Sequence, residues 1–197
     1  MLYDTLKFLA EEVNKYLSQK MGAMSDPRLK IGNVSRALDD SLTGANSLTG
    51  KAILSLVNIE EDRVGKQQEN YIRTDIKTVY KAPPLYLNLY LLFSVNKAEY
   101  DDTLKWLGHI IQFFQYQNVF TPITHPNLDP KTEKLIIDLY SLNFEQVNHL
   151  WSTLGGKYLP SVMYKVRQVT MDEDITTGES GFIKEITLND KMKQPVS

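Results

Sequence analysis

The sequence contains no cysteine among its 197 residues. This absence excludes disulfide bonds, thiolate metal sites, iron–sulfur clusters and a cysteine nucleophile. Long hydrophobic runs are also missing, since the longest, residues 89–93, is far shorter than the roughly 18 residues of a membrane span. Neither sign of charge is in excess: 22 Lys and Arg against 24 Asp and Glu give a net charge of −2. We therefore expect no membrane span, and no function based on binding nucleic-acid phosphates.

The hydrophobic content of 42% is nevertheless sufficient for a folded globular domain. Near the N-terminus, charged residues interrupt the apolar ones, so the pattern predicts a helix over residues 1–19 rather than a signal peptide. The apolar residues recur at spacings of three and four and form one stripe: Leu2, Leu6, Leu9, Val13, Tyr16 and Leu17. We expect a chain that is made and folded in the cytoplasm.

Residues 85–95 show the clearest strand pattern, because apolar and other residues alternate. One face carries Leu85, Leu87, Leu89, Leu91 and Phe93, and the other carries Tyr86, Asn88, Tyr90 and Leu92. Further extended segments are predicted at residues 28–34, 51–59, 134–140, 158–171 and 182–188, with a loop at 35–50 and a turn at 172–181.

Two more helices are predicted from capping boxes. Asn96 with Glu99 predicts a helix that runs to about residue 118, and Asn143 with Gln146 predicts one that ends at the Gly155–Gly156 pair. The buried stripe of the first is predicted to be Leu104, Leu107, Ile110, Ile111 and Phe114, which leaves Trp106, Phe113 and Tyr116 outside it. The stripe of the second is predicted to be Phe144, Val147, Leu150, Trp151 and Leu154.

Strands and helices do not alternate regularly, so the predicted fold is α+β, a mainly antiparallel sheet of four to six strands covered by about three helices. We expect one domain over residues 1–171, followed by a C-terminal turn, short strand and tail over residues 172–197. The polar residues 63–82 are interpreted as either a projecting hairpin arm or a disordered insertion.

Two segments resemble ligand-binding loops without matching them. Residues 44–51 have five residues between the glycines where a phosphate loop needs four, and Ala52 follows the lysine. Asp172, Asp174 and Thr176 mimic the start of a calcium loop, but Thr177 stands where that loop needs glycine. Neither site is predicted.

Catalytic side chains also show no motif. His109 and His149 lie on different predicted helices, and His125 lies in a proline-rich loop. The acidic run of Glu60, Glu61 and Asp62 is typical of a strand edge kept soluble, with a metal or general-acid cluster as the alternative. No catalytic, cofactor-binding or metal-binding residue is predicted.

The remaining candidates for function are residues of surface type. Aromatic residues beyond the needs of one core are typical of interfaces, although a second helix layer over the same strand face is an equal alternative. Lys165 and Arg167 alternate with apolar residues, which fits a strand that pairs with a neighbouring chain at a sheet edge, or an internal strand with one solvated face. The interface candidates are Asn58, Glu60, Glu61, Asp62, Arg63, Tyr86, Asn88, Tyr90, Trp106, Lys165 and Arg167.

Four stretches together resemble one family. They are residues 56–67 (LVNIEEDRVGKQ), 83–96 (PPLYLNLYLLFSVN), 110–121 (IIQFFQYQNVFT) and 141–167 (SLNFEQVNHLWSTLGGKYLPSVMYKVR). This order is similar to that of the tail-terminator, or cap, proteins of phage-tail-like contractile injection systems.

The resemblance implies a structural protein without enzymatic activity or cofactor. It implies a homohexameric ring at the baseplate-distal end of the tail, bound to the sheath and inner tube and stopping their polymerisation. The protein would assemble in the cytoplasm into a particle that is released or cell-anchored. A baseplate or tail-completion adaptor of the same particle is the alternative, and a small enzyme using His109 or His149 is a more distant one.

Overall fold

The computed structural model describes residues 2–37, 47–62, 71–73, 77–81, 85–155, 157–171 and 176–181. The chain divides into two compact units. The larger one combines Met1–Lys66 with Leu85–Met171, and the smaller one combines Gln67–Pro84 with Asp172–Ser197. The division predicted from the sequence, a domain over residues 1–171 followed by a C-terminal segment over residues 172–197, stays a prediction.

A six-stranded sheet forms the frame of the larger unit, in the order β1-β2-β5-β8-β7-β6. Only the β1–β2 pair is parallel, so the sheet is mainly antiparallel as predicted. The strands are β1 (Leu29–Ile31), β2 (Ala52–Glu61), β5 (Leu85–Val95), β6 (Val119–Phe120), β7 (Leu135–Leu139) and β8 (Ser161–Met171).

Three α-helices occur in the described part of the larger unit: α1 (Leu2–Met21), α2 (Tyr100–Tyr116) and α3 (Phe144–Thr153). A short 3₁₀ helix, Val34–Arg36, lies in a segment that we had predicted to be extended and then loop. The α+β prediction is therefore confirmed, with β6 as a short strand that the sequence analysis did not anticipate. None of the described helices is both long and apolar enough to cross a bilayer.

Helices α1 and α2 cover one face of the sheet and form the main core. The predicted stripe of α1 is confirmed, since Leu6, Leu9, Val13 and Leu17 are buried. The predicted Leu face of β5 is confirmed from residue 87 onward, where Leu87, Leu89, Leu91 and Phe93 join this core. Because α1 and β5 are each read from a local repeat, their buried faces follow from the sequence alone.

Helix α2 differs from the prediction in its start and its buried face. It begins at Tyr100, and no side chain caps it. The side-chain amide of Asn96 instead donates a hydrogen bond to the carbonyl of Ala37 at 2.7 Å. Its buried residues are Thr103, Trp106, Ile110, Phe113 and Phe114. The sequence analysis wrongly placed Trp106 and Phe113 outside the stripe and Leu104 and Ile111 inside it.

Contact with a second helix explains this rotation. Helix α2 packs on α1 as well as on the sheet, with the rings of Phe113 and Tyr16 only 5.3 Å apart. Turning Trp106 and Phe113 inward buries more apolar area than turning Leu104 and Ile111 inward. The structure leaves 47% of Leu104 and 38% of Ile111 exposed.

A smaller core lies on the second face of the sheet. It contains Ile53, Leu92 and Met163 from three strands, together with Trp151 of α3 and residues of the 3₁₀ segment. The capping box predicted for α3 is confirmed, because Asn143 accepts from the Gln146 amide at 2.8 Å and Gln146 accepts from the Asn143 amide at 3.0 Å. Trp151 is the one buried residue of α3. This helix layer covers only part of the second face.

The smaller unit contains a three-stranded antiparallel sheet in the order β3-β4-β9. Its strands are β3 (Tyr71–Arg73), β4 (Lys77–Lys81) and β9 (Thr176–Gly181). Of the two alternatives for residues 63–82, the structure supports a hairpin, since β3 and β4 pair directly. The turn predicted at residues 172–181 is wrong where β9 forms, and the strand predicted at 182–188 lies outside the described residues.

Candidate interaction surface

Five polar side chains lie on the second face of the sheet, beside the smaller core. We call Glu60, Tyr90, Asp138, Lys165 and Arg167 the polar row. They come from four strands, and the register brings them together, since Tyr90 stands opposite Lys165 and Lys165 stands opposite Asp138. Residues directly opposite in neighbouring strands have side chains on the same face.

Three members of the polar row are joined at one carboxylate oxygen. The Tyr90 hydroxyl donates to Glu60 Oε2 at 2.7 Å, and Lys165 Nζ donates to the same oxygen at 3.1 Å. Lys165 Nζ also lies 5.3 Å from the centre of the Tyr90 ring, within cation–π range. The three side chains therefore hold each other in one arrangement.

The ionisation of this group follows from these bonds. The Tyr90 hydrogen bond and then Lys165 lower the pKa of Glu60, because both favour the carboxylate. The hydrogen bond to Glu60 and burial raise the pKa of Tyr90. Burial lowers the pKa of Lys165, but its bonds to Tyr90 and Glu60 outweigh that effect and raise it. At neutral pH the group contains one carboxylate, one ammonium and one neutral phenol.

A second ion pair extends the polar row toward the sheet edge. Arg167 places both Nε and Nη2 at 2.7 Å from Asp138 Oδ2, and both side chains are 44% exposed. Exposed pairs of this type stabilise folding by only about 0–1 kcal/mol. The polar row thus contributes little to the fold and presents a defined pattern of charge and aromatic surface.

Tyr140 adds a second ring to this surface. Its ring packs edge-on against Tyr90, with the centroids 5.0 Å apart. Tyr90 is half-buried against the smaller core, which fits the alternative of a covered face, and its hydroxyl binds Glu60. The interface alternative stays a prediction.

An apolar groove lies along α3, next to the smaller core. We call it the aromatic groove; its volume is about 590 Å³, and it is lined by Leu142, Asn143, Phe144, Val147, Asn148, Trp151, Ser152 and Tyr158. Trp151 and Tyr158 pack edge-on at 5.5 Å, while Phe144 is 96% exposed. The sequence analysis missed this groove because it assigned Phe144 to the buried stripe.

The acidic end of β2 supplies further predicted candidates. Asn58 is exposed and stands opposite Tyr90 in the β2–β5 register. Glu61 and Asp62 are partly buried, and the Asp62 amide donates to the carbonyl of Tyr86 at 2.8 Å. These residues lie near the polar row along β2 and β5.

Two other candidates are buried, and a third is not described. Asn88 is buried, and Trp106 is only 5% exposed, with the cations of Lys97 and Arg28 lying 4.6 and 6.0 Å from its ring centre. Trp106 is a core residue, so the assumption that placed it on the surface is wrong. Arg63 lies outside the described residues.

Strand β8, which carries Lys165 and Arg167, is an internal strand and not an edge strand. It pairs with β5 on one side and β7 on the other, so it is not available as an edge to another chain. Its two cations occupy one solvated face of an internal strand.

The two segments that resemble ligand-binding loops are described only in part. Lys51 forms an ion pair with Asp26 at 2.7 Å, and residues 44–46 lie outside the described part. Asp172 and Asp174 also lie outside it, while Thr176 begins β9. Within the described ranges, no three His, Asp or Glu side chains are grouped closely enough to hold a metal ion.

The histidines are separated among α2, α3 and the loop after β6. His109 contacts Gln112 at 3.2 Å, His149 is exposed, and the ring of His125 packs 4.9 Å from Phe120. The fold thus defines the class of this protein: an α+β domain built on a mainly antiparallel sheet.

Comparison with known proteins identifies its family. Residues 4–185 match the Pvc16 N-terminal domain, and the chain belongs to that family. The resemblance to tail-terminator proteins is therefore confirmed. No curated protein matches the chain.

Two solved structures share the fold. One is the sheath/tube terminator, in the extended state, of the extracellular contractile injection system PVC, with 12% identity and a TM-score of 0.55. The other is the tube-terminating cap of the anti-feeding prophage, with 14% identity and a TM-score of 0.58. Each match covers 95% of this chain, which spans 65% of the first solved chain and 62% of the second.

Proposed function

We propose that this chain is a structural tail terminator of a contractile injection system. The observation that carries the proposal is the fold match over 95% of the chain to two proteins described as a sheath/tube terminator and a tube-terminating cap. Family membership over residues 4–185 supports the same function. The chain would be made in the cytoplasm and become part of the assembled particle, with sheath and inner-tube proteins as its partners.

The mechanism that we propose is geometric. In a helical polymer, each subunit offers its successor a surface complementary to its own, and growth continues as long as that surface is repeated. Six copies of this chain would close into a ring that occupies the last such surface without reproducing it. Tube and sheath would then stop growing at this ring, and no bond would need to be made or broken.

The polar row suits the proposed contact with the tail. Electrostatic complementarity at an interface selects the partner and its orientation more than it adds affinity. The Glu60–Tyr90–Lys165 group is held by internal bonds, so its side chains would lose little conformational freedom when a partner subunit binds. Asn58 and the Asp138–Arg167 pair would extend this contact on either side.

Localisation on the particle tests the proposal. An epitope tag is appended to the chain, tails are isolated from producing cells, and gold-labelled antibody is imaged by electron microscopy. We expect the label at the end opposite the baseplate. A label at the baseplate would contradict the terminator proposal and favour the adaptor, and a tag on the sheath protein, which labels the whole tail, serves as the control.

A further inference from the structure

A polar cavity lies between the C-terminal half of α1 and the segment that leads into β1. Its volume is about 620 Å³, and it is lined by residues of α1 between Glu11 and Gln19 and by residues 24–28. Arg28 is the one buried residue among the ten that line it, with only 5% of its surface exposed. The other nine are exposed or partly buried, so the cavity is open to solvent. We call it the Arg28 cavity.

The guanidinium of Arg28 is buried with most of its hydrogen-bonding capacity unused. Of its five N–H groups, one, on Nη2, donates to the carbonyl of Met21 at 3.1 Å. The other four have no acceptor in the part of the chain that the structure describes, and Nε is itself buried. Buried polar groups are almost always hydrogen-bonded, and an unpaired buried charge is costlier than an unpaired neutral group. The described residues therefore leave donors here that a bound acceptor would satisfy.

Arg28 forms no ion pair in the described part of the chain. Asp26, also in the cavity lining, is already held by Lys51 at 2.7 Å and Lys30 at 3.2 Å. The hydrogen bonds from these two lysines lower the pKa of Asp26, so it is a carboxylate at neutral pH whose charge is matched by other cations. The cavity lining and its ion-pair partners together contain four cations and three carboxylates, which leaves an excess of one positive charge.

Two other groups near Arg28 compensate its charge only in part. The Met21 carbonyl lies at the C-terminal end of α1, where the helix dipole supplies about half a negative charge. The centre of the Trp106 ring lies 6.0 Å from the guanidinium and 4.6 Å from Lys97 Nζ, so two cations share one ring. The electrostatics of the cavity thus favour an added anion.

The walls of the Arg28 cavity are fixed before any ligand binds. The side chain of Asn14 on α1 exchanges two hydrogen bonds with the backbone of Leu29, at 2.8 and 2.9 Å. The carbonyl of Arg28 accepts from the Ala52 amide at 2.8 Å, which ties the segment to β2. A preordered site loses little conformational entropy when it binds a ligand.

We propose that the Arg28 cavity binds a carboxylate on a short aliphatic stem. A guanidinium matches a carboxylate in shape, since two parallel N–H groups reach both oxygens. The excess of a single positive charge suits a monoanion better than a phosphate monoester, which carries about 1.5–2 negative charges. Met24 and Pro27 offer apolar surface for the stem, and Ser18 adds a hydroxyl donor. This site goes beyond the proposed function and does not depend on it.

Butyrate tests this site as a probe, with its neutral isostere butyramide as the control. The full chain is labelled with nitrogen-15, and the Nε–H signals of Arg28 and Arg167 are followed by nuclear magnetic resonance, each assigned by its loss in Arg28→Lys or Arg167→Lys. We expect a saturable shift of the Arg28 signal with butyrate and none with butyramide. Arg167 is the matched control, because its Nε already donates to Asp138 at 2.7 Å. A missing or non-saturating shift, an equal shift with butyramide, or an equal shift of Arg167 would overturn the inference.

The Arg28→Lys variant separates the guanidinium from charge alone, since it keeps the cation and removes the paired N–H groups. The backbone amide signals of Ser18 and Gln19 report binding in this variant, provided that its other amide signals match those of the wild type. We expect the variant to bind butyrate at least about tenfold more weakly, because it loses hydrogen bonds to a charged group. Equal affinity would contradict the role of Arg28. If the variant does not fold, the wild-type titration with its two controls still decides.

Recovery of the variant on tails distinguishes the two sources of such a carboxylate. If it is an Asp or Glu side chain of a tail protein, less of the Arg28→Lys chain than of the wild-type chain is expected on tails from producing cells. If it is a free carboxylic acid, the two chains are recovered equally. The titration uses the purified chain alone, so its failure would leave the terminator proposal standing, and a label at the baseplate would leave the Arg28 cavity standing.

Discussion

Replacing Trp151 by alanine should detach α3 from the sheet while leaving the main core folded. Trp151 is 6% exposed and is the one buried residue of α3, since Val147 and Leu150 are only partly buried, as is Leu154 just after the helix. A buried tryptophan covers about 150–250 Å², which at about 25 cal/mol per Å² corresponds to roughly 4–6 kcal/mol. Measured Trp→Ala costs in cores are about 3–5 kcal/mol. We therefore expect the docked helix to lose at least about 3 kcal/mol.

Hydrogen exchange followed by mass spectrometry measures this loss locally. A loss of about 3 kcal/mol corresponds to roughly 100-fold faster exchange in the peptide that covers Phe144–Thr153. Exchange in α1, which belongs to the separate main core, should change much less. The matched control is Phe144→Ala on the same helix, which is expected to change stability by no more than about 0.5 kcal/mol because Phe144 is exposed. Unchanged exchange in α3 of the Trp151 variant would refute the reasoning.

Three further substitutions test the account. Glu60→Gln should flatten the dependence of the unfolding free energy on pH in the acid range. The pKa of Glu60 is lower in the folded chain, so its carboxylate stabilises the fold at pH values above its ordinary pKa of 4.5, and this stabilisation is lost as the pH falls through the folded-state pKa. Urea titrations identical to those of the wild type over this pH range would count against the bond to Tyr90. Asn143→Ala should cost about 1 kcal/mol through the lost capping box, measured as faster exchange in the first turn of α3. Ser55→Ala should cost about 1–3 kcal/mol in chemical denaturation, because the buried hydroxyl donates to Gly32 at 2.6 Å and accepts from Val34 at 3.0 Å; no loss would show that these groups find other partners.

The elements that the sequence predicts well are those with a long local repeat. Strand β5 occupies the predicted residues 85–95, because strict alternation of leucines distinguishes its two faces. The same applies to α1, whose buried stripe follows from spacings of three and four. The capping box of α3 involves residues three positions apart, so it too is a local signal.

Prediction failed where a distant contact decides the outcome. Asn96 has the sequence context of a helix cap, but its amide binds Ala37, which is 59 positions away in the chain. The face that α2 buries depends on its packing against α1, which periodicity does not specify. Strand β9 has no apolar alternation and forms by pairing with β4, about 100 residues earlier.

The polar row could be predicted only as separate residues. Glu60, Tyr90 and Lys165 were each identified from the sequence as surface candidates, but their convergence depends on strand register. The β2–β5 pair shifts register between Leu56 and Asn58, and the β5–β8 pair shifts between Leu87 and Leu89. Each irregularity changes which side chains share a face, and alternation within one strand does not reveal it.

The aromatic groove was missed for a different reason. Periodicity shows that Phe144 and Trp151 lie on the apolar side of α3, but it does not show whether the chain itself covers that side. In the folded chain, Trp151 is covered and Phe144 is not. An apolar stripe that is only half-buried within its own chain leaves the aromatic groove beside Phe144.

The most direct test of the terminator proposal is the length of tails made without this chain. The gene is deleted, tails are isolated, and the length of tube and sheath is measured for individual particles by electron microscopy, with the gene restored as the control. We predict that the deletion strain makes tubes of irregular or excessive length with uncapped ends. Tails of uniform length that carry a normal cap would contradict the account.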